Sequence, residues 1–255
     1  MRIVVKVGTS SLTYDNGCIN IRRFEALCKI ISDVKNSGAE IILVSSGAIG
    51  MGVGKLHLPS RPSDIAGKQA CAAVGQCELM YTYDKLFSEY NHTVAQILLT
   101  APDLMSEDRR EKFVNTTDKL LSLSVLPIIN ENDTVATEEI VFGDNDTLAA
   151  RVAVATGADV LVLLSDIDGL YDKDPHKFSD ASLIESVYEI DEKIEALAGT
   201  AGTSLGTGGM QTKIKAAKIA TESGCDMIIS NGSAPEKLYD IIENKSVGTR
   251  FYAKK

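Results

Sequence analysis

The sequence predicts an α/β fold in which a mainly parallel sheet is covered by helices. Short runs of β-branched residues alternate with longer amphipathic segments along the chain, which is the pattern of strands and crossover helices. Three of the helical segments end in a small residue or Gly and enter an acidic strand start, in SGAEIILV, TGADVLVLL and SGCDMIIS. Gly at a helix end lets the chain turn back toward the sheet.

The elements can be assigned in chain order from these two patterns. Strand-like runs occupy residues 2–7, 40–45, 93–99, 125–129, 159–164 and 226–230, and helical patterns occupy 21–36, 64–90, 106–123, 145–156, 209–223 and 235–243. Two segments depart from the alternation. TVATEEIVF at 134–142 predicts a strand or hairpin excursion, and GTAGTSLGTGG at 199–209 is too rich in Gly for a packed element.

Size and composition favour one domain without a polyanionic partner. The 255 residues are 44% hydrophobic, enough for a proper core, and no Pro-rich or low-complexity linker divides the chain. A net charge of −9 argues against nucleic-acid or anionic-membrane binding. The N-terminal MRIVVKVG enters a strand without the apolar core of a signal peptide, and no apolar stretch approaches membrane-spanning length. We therefore expect a soluble, cytoplasmic protein.

Cysteine and histidine usage predicts neither a zinc site nor a disulfide framework. The five cysteines, at positions 18, 28, 71, 77 and 225, form no CxxC pair, and only three histidines accompany them.

Small and polar residues follow four of the predicted strands. They are Lys6–Ser10, Ser45–Gly50, Asn130–Asp133 and Ser165–Asp166. Ligands of open parallel sheets bind at the carboxyl ends of the strands. Small residues let backbone N–H groups approach a ligand there, and a helix that starts after such a turn presents its positive end to an anion. Four such turns predict a phosphate ligand.

Two common phosphate motifs are absent. The segment 208–213 contains a lysine but lacks the Gly that precedes it in a Walker loop. The glycines at 50–54 do not have the spacing of a dinucleotide fingerprint, and no acidic residue closes a following strand at the required distance.

Two lysines and one polar triplet lie where ordinary folding chemistry does not require them. Lys6 is near the end of a buried-looking strand, and Lys213 is in the first helical turn, where the macrodipole disfavours a cation. In FGDNDTLAA, Asp144, Asn145 and Asp146 are two more polar groups than a helix cap needs. A nearby anion would explain the lysines, and a ligand would explain the triplet.

Six segments together resemble the amino acid kinase family. They are KVGTSSLT, VSSGAIGMG, PIINENDTV, FGDNDTLAA, SDIDGLYDKDP and GTGGMQTKIKAAKIA, in this order across residues 6–220. The resemblance implies a three-layer αβα sandwich over residues 1–255, with an N-terminal side for an amino acid and a C-terminal side for a nucleotide. It resembles the catalytic domain alone, without the C-terminal PUA domain of many bacterial members.

The resemblance is strongest to members that phosphorylate the γ-carboxylate of L-glutamate with ATP and Mg²⁺, the first step of proline biosynthesis. It implies feedback inhibition by proline and a homo-oligomer. No metal ligands are assigned.

Motif by motif, the resemblance also implies residue roles. Lys6 and Lys213 are the two cations on the transferring phosphoryl group, and Asp146 organises them. The predicted amino-acid-binding residues are Ser46, Gly47, Asn130, Asp133, Asp144 and Asn145. The predicted nucleotide-binding residues are Lys6, Gly8, Ser165, Asp166, Thr207, Gly208, Gly209, Met210, Gln211, Thr212 and Lys213. Position 165 is Ser where Thr is common in the family.

Three other functions remain to be weighed. An acetylglutamate kinase or UMP kinase would share the fold, but an acetylated amine offers no cation to Asp133. A non-catalytic sensor of amino acids or nucleotides would not need both Lys6 and Lys213. A dinucleotide oxidoreductase would need the fingerprint that is absent.

Overall fold

The computed structural model describes residues 1–14, 18–136, 145–175, 177–200 and 209–254. Their strands form one sheet in the order β3-β4-β2-β1-β5-β7-β8-β6. The strands are β1 Arg2–Val7, β2 Glu40–Ser45, β3 Val94–Leu99, β4 Leu126–Glu131, β5 Val160–Ser165, β6 Ser186–Val187, β7 Asp226–Asn231 and β8 Thr249–Phe251. All neighbouring pairs are parallel except β7 and β8.

Helices cover both faces of this sheet. They are α1 Thr9–Leu12, α2 Ile21–Asn36, α3 Ala48–Lys55, α4 Ile65–Ser88, α5 Ala101–Met105, α6 Glu107–Ser122, α7 Asn145–Ala155, α8 Glu192–Thr200, α9 Met210–Glu222 and α10 Lys237–Ile242. In the part of the chain that the structure describes, no helix is both long and apolar enough to cross a bilayer.

Alternation along the strands divides the core into two clusters. Ile3 and Val5 of β1 belong to a cluster with α2, α4 and α10, whereas Val4 belongs to a cluster with α6, α7, α8 and α9. Successive strand residues point to opposite faces of a sheet, so each cluster fills one interface between the sheet and a helical layer. The three-layer αβα sandwich expected from the sequence is confirmed.

The sheet aligns the carboxyl ends of its central strands. Val7 pairs with Ser45 of β2 and with Leu164 of β5, and Ser165 pairs with Asn231 of β7. The polar residues that follow these strands therefore lie along one edge of the sheet, as a parallel topology requires.

The sequence patterns did not predict the short elements or the Gly-rich helix α3. Helices α1, α5 and α8 and strands β6 and β8 lay in segments read as turns or connections, because each is too short or too irregular for a periodic pattern. Helix α3, AIGMGVGK, holds three glycines, which weaken any helix prediction. Residues 134–136 form a turn, not a strand; the rest of the predicted excursion, 137–142, and 201–208 of the Gly-rich segment lie outside the described residues.

Packing between α3 and α4 explains those glycines. A Cβ on Gly52 of α3 would overlap with the backbone of Cys71, and one on Gly75 of α4 would overlap with the carbonyl group of Ala48. The two helices therefore touch backbone to backbone, an approach that no side chain would allow.

Candidate active site

Strand alternation aims Lys6 at the layer that contains α7 and α9. Val4, two residues earlier, belongs to the core cluster on that side, and Lys6 shares its face. Lys6 is only 9% exposed, and burial of an ammonium group without a partner is unfavourable. Its Nζ contacts Oδ1 of Asp146 at 2.7 Å.

Asp146 binds a second ammonium group through its other oxygen. Lys213 Nζ lies 3.2 Å from Oδ2 of Asp146, and the hydroxyl of Thr212 donates a hydrogen bond to the same oxygen at 2.9 Å. Asp146 is in the first turn of α7, and Lys213 is in the first turn of α9. The two helices pack against each other, and both contribute alanines to the same core cluster, including Ala150, Ala153, Ala216 and Ala217.

The carboxyl group stays ionised despite its burial. Burial in itself would raise the pKa of Asp146, which is 1% exposed, but attraction to Lys6 and then to Lys213 holds that pKa well below its usual value. The group therefore consists of two cations and one anion, and it carries a net positive charge at neutral pH. Such a group suits a polyanion at the sheet edge.

Beside this charged group lies a chain of neutral amides. Asn145 Nδ2 lies within hydrogen-bonding distance of the Ser45 carbonyl oxygen, at 3.0 Å, of Ser46 Oγ, at 2.8 Å, and of Asn130 Oδ1, at 3.1 Å. Asn130 Nδ2 in turn donates to Oε1 of Gln76 on α4 at 2.9 Å. This chain runs from α7 over the strand ends to the opposite helical layer.

The turn after β2 completes this side of the site. Gly47 caps α3 with φ 103°, a left-handed conformation that favours Gly. Asp133 is half-buried in the turn after β4, which carries Asn130 near its end. The structure thus brings Ser46, Asn130 and Asn145 into direct contact, and it places Gly47 and Asp133 at the turns beside them.

The described residues of the predicted nucleotide-binding set lie at three places: beside Lys6, at the start of α9 and at the end of β5. Gly8 lies against the Lys6 ammonium, since a Cβ built on Gly8 would be 3.7 Å from Nζ. Gly209 caps α9, and Met210, Gln211, Thr212 and Lys213 form its first turn. Ser165 ends β5 and Asp166 follows it, and their side chains hydrogen bond to each other at 3.0 Å. Asp144, Thr207 and Gly208 lie outside the described residues.

Further polar side chains lie next to Ser165, and the sequence analysis did not predict them as site residues. Asn231 ends β7 beside Ser165 and donates to Asp168 Oδ1 at 3.1 Å, and Lys237 lies 3.6 Å from the same oxygen. The rule that singles out residues at strand ends would have found Asn231. Gln76 carried no such signal, because it lies within a helical pattern.

Metal-ligand clusters are absent from the described ranges: no three His, Cys, Asp or Glu side chains there are placed to hold an ion.

Sequence comparison gives a family and several relatives. The model of the "Amino acid kinase family" matches residues 1–231. A glutamate 5-kinase of Clostridium perfringens is 54% identical, with 100% of this chain and 96% of that protein covered. A glutamate 5-kinase of Clostridium tetani is 55% identical over 98% of this chain and 94% of its own length. One from Carboxydothermus hydrogenoformans is 54% identical; the match spans 100% of this chain and 68% of that relative.

Structural comparison finds the same fold at low sequence identity. Carbamate kinase from Giardia lamblia bound to AMP-PNP superposes with TM-score 0.69 at 15% identity, covering 99% of this chain and 98% of that one. UMP kinase from Ureaplasma parvum superposes with TM-score 0.65 at 15% identity, covering 98% of both chains.

Proposed function

This chain belongs to the amino acid kinase family, and from that premise we propose that it transfers the γ-phosphoryl group of ATP to the γ-carboxylate of L-glutamate. The product is L-glutamyl 5-phosphate, and the reaction begins proline biosynthesis. One observation carries the proposal: the carboxylate of Asp146 joins two buried ammonium groups. One belongs to Lys6 at the C-terminal end of β1, and the other to Lys213 at the N-terminal end of α9.

The reaction needs positive charge more than it needs a base. A carboxylate acceptor has a reference pKa near ~4.3 and is already ionised at neutral pH, so no proton has to be removed. Both reactants are anions, and charge develops on the oxygens of the phosphoryl group in flight. Lys6 and Lys213 would stabilise those oxygens from two sides, and Asp146 would hold both ammonium groups in place before ATP arrives.

Glutamate would bind at the amide chain. The hydrogens of Asn145 Nδ2 already face Ser45, Ser46 and Asn130, so the side-chain oxygen is the group left to accept from the α-ammonium. Asp133 would supply a carboxylate for the same ammonium, and the Ser46–Gly47 turn would supply donors for a carboxylate. Asp144, next in the chain to Asn145, belongs to the same proposed group.

ATP would lie on the C-terminal half of the sheet. Gly8 leaves the Lys6 ammonium open to a phosphate, the 207–213 segment with its α9 N-terminus would bind further phosphate oxygens, and Ser165 and Asp166 would contact the nucleoside end. Mg²⁺ is commonly held by substrate phosphates with one or two carboxylates. Because Asp146 is already occupied by two ammonium groups, the ATP phosphates would carry the ion, whose charge would neutralise theirs.

The proposal has three further parts. The whole of 1–255 would act as one catalytic domain, with the N-terminal side for glutamate and the C-terminal side for ATP. Proline shares the α-amino and α-carboxylate groups of glutamate, so it would inhibit by competing near Asp133 and Asn145. The enzyme would work in the cytoplasm as a homo-oligomer.

A single assay tests the activity against its nearest rivals. ATP consumption is measured with L-glutamate, N-acetylglutamate and UMP at equal concentrations. Consumption with glutamate alone is expected. Efficient turnover of N-acetylglutamate or UMP would assign a sibling kinase instead, and ATP binding without turnover of any acceptor would indicate a sensor.

Proline inhibition is tested in the same assay, with glutamate held near its KM. Activity should fall as proline is raised, and full activity at saturating proline would refute this part of the proposal.

A further inference from the structure

The amide of Gln76 has a defined orientation. Asn130 Oδ1 lies within hydrogen-bonding distance of two donors, the Glu131 backbone N–H at 2.9 Å and Asn145 Nδ2 at 3.1 Å. The donor end of the Asn130 amide must then point to Gln76, 2.9 Å away, and only an acceptor suits it there. Gln76 therefore turns its oxygen to Asn130 and its Nε2 away.

That orientation leaves a buried donor without a partner in the part of the chain that the structure describes. Gln76 is 9% exposed, and among the described residues its Nε2 has no hydrogen-bond acceptor. A buried unpaired donor is unfavourable for folding, so the Nε2 end of this amide offsets part of the stabilisation that its oxygen provides to Asn130. The net contribution of the amide to stability is therefore small, and its oxygen matters chiefly to the orientation of Asn130.

Around Gln76, helix α4 packs closely against α3 and against the ends of β2 and β4. The neighbouring Gly75 packs on the backbone of Ala48, the first residue of α3, directly after the Ser46–Gly47 turn. Seven residues later, on the same face of α4, the hydroxyl of Tyr83 lies 2.8 Å from Ser45 Oγ. Two side chains of α4 thus bear on the ends of β4 and β2, the two strands whose ends Asn145 contacts.

We propose that Gln76 is a positioning residue for the amino-acid substrate, acting through Asn130 on Asn145. This inference rests on the proposed glutamate kinase activity. With Gln76 in place, Asn130 offers an oxygen to Asn145, and Asn145 offers its own oxygen to the substrate ammonium. Without Gln76, Asn130 loses the partner of its Nδ2 and keeps only the contacts of its Oδ1 with the Glu131 N–H and Asn145 Nδ2 among the described residues. The amide can then rotate, and Asn145 can present donors where the ammonium requires an acceptor.

The test compares two substitutions at this position. Gln76→Leu has a similar shape and removes the acceptor, and it should raise the glutamate KM at least ~10-fold while kcat and the ATP KM change less than ~3-fold. The substitution removes the unpaired Nε2 but takes the acceptor away from Asn130 Nδ2, so the thermal midpoint should fall only slightly. Gln76→Glu keeps an oxygen for Asn130, and its glutamate KM should be at least ~3-fold below that of Gln76→Leu.

Ser32→Ala is the matched control. Ser32 is a buried residue of α2 whose hydroxyl also has no partner among the described residues, and α2 contributes nothing to the proposed site. This variant should be at least as stable as the wild type and should match it in all kinetic constants.

Three outcomes would overturn the inference. They are an unchanged glutamate KM in Gln76→Leu, a joint loss of stability, kcat and both KM values, and a Gln76→Leu protein that does not fold. The last two would make Gln76 a structural residue. A wild-type protein that does not phosphorylate glutamate in the same plate would instead refute the proposed function, on which this role depends.

Discussion

The two halves of the candidate site use opposite physical means. The charged group, Lys6–Asp146–Lys213, lies between the sheet and one helical layer, and attraction between its buried unlike charges holds it together. The amide chain, Asn145–Asn130–Gln76, carries no charge and connects the two helical layers across the sheet edge. Charges act over distance and suit a transition state whose charge is spread out, whereas amides are directional and suit the recognition of one ligand geometry.

The comparison predicts a division of kinetic effects. Substitutions in the charged group should lower kcat, because that group acts on the phosphoryl group in flight. Substitutions around the amide chain should raise the glutamate KM and spare kcat. The predictions below test that division from the largest expected effect to the smallest.

Asp146→Asn should be the most damaging change. It leaves two buried ammonium groups without their shared carboxylate, and loss of one partner from a buried ion pair typically destabilises a protein by about 3–5 kcal/mol. The kcat should also fall by ~10²–10³ because the lysines lose their common anchor. Chemical denaturation and steady-state kinetics measure the two effects, and a variant as stable and active as the wild type would contradict both.

The pH dependence of that stability loss has a fixed sign. The pKa of Asp146 is depressed in the folded protein, so its contribution is fully present above the ordinary value of ~3.9 and declines as the pH falls further. The stability difference between wild type and Asp146→Asn should therefore be flat from neutral pH to mild acid. Shrinkage already between pH 7 and 5 would mean that Asp146 is not held ionised by the lysines.

Lys213→Ala should lower kcat by at least ~10² with a smaller change in the glutamate KM, since its ammonium group acts mainly in the transition state. Lys6 still neutralises Asp146 in this variant, so most of the stability should remain. Single-turnover kinetics with ATP and glutamate make the measurement. An unchanged kcat would remove Lys213 from the chemistry.

Asp133→Asn tests the other half of the site. A charge-assisted hydrogen bond to the substrate ammonium is worth roughly 1.5–3 kcal/mol, so its loss should raise the glutamate KM at least ~10-fold. The ATP KM should hardly change, and initial rates at varied glutamate and ATP separate the two constants. Equal increases in both would place Asp133 outside the amino-acid site.

Tyr83→Phe should have the smallest effect. It removes only the hydroxyl that contacts Ser45, a neutral hydrogen bond worth about 0.5–1.5 kcal/mol of stability. The hydroxyl of Tyr83 contacts Ser45 and is not a member of the amide chain, so the glutamate KM should rise less than ~3-fold. A larger rise, measured beside Gln76→Leu, would show that α4 controls the site through β2 as much as through β4.

The sequence predicted the charged group better than it predicted the amide chain. Lys6 and Lys213 stood out because burial and the helix dipole each disfavour an unpaired cation, and those penalties can be read from a strand or helix pattern. The assignment of Asn145 and Asn130 to one amino-acid site came only as an implication of the family resemblance, and their mutual contact was not predicted. Gln76 was invisible, since a glutamine within a helix is ordinary until its neighbours in space are known.

The same contrast holds for the fold. The long strands and helices were predicted to within a few residues, because burial on both faces and helical periodicity are local signals. Helix α3 was not, because its glycines serve a contact with α4 that lies outside the local sequence. The geometry of the Ser46–Gly47 turn depends on α3, so the local sequence did not predict it either.

The backbone contact between α3 and α4 limits which amino-acid substitutions this enzyme can accept during evolution. Most packed positions can absorb a substitution because a neighbouring side chain shifts its rotamer or is replaced in turn. At Gly52 and Gly75 the neighbours are carbonyl and amide groups of the main chain, and the main chain has no alternative residue to offer. A second mutation elsewhere therefore cannot compensate for a methyl group at either position. We therefore expect both positions to remain glycine, whereas the exposed positions of α3 and α4 remain free to vary.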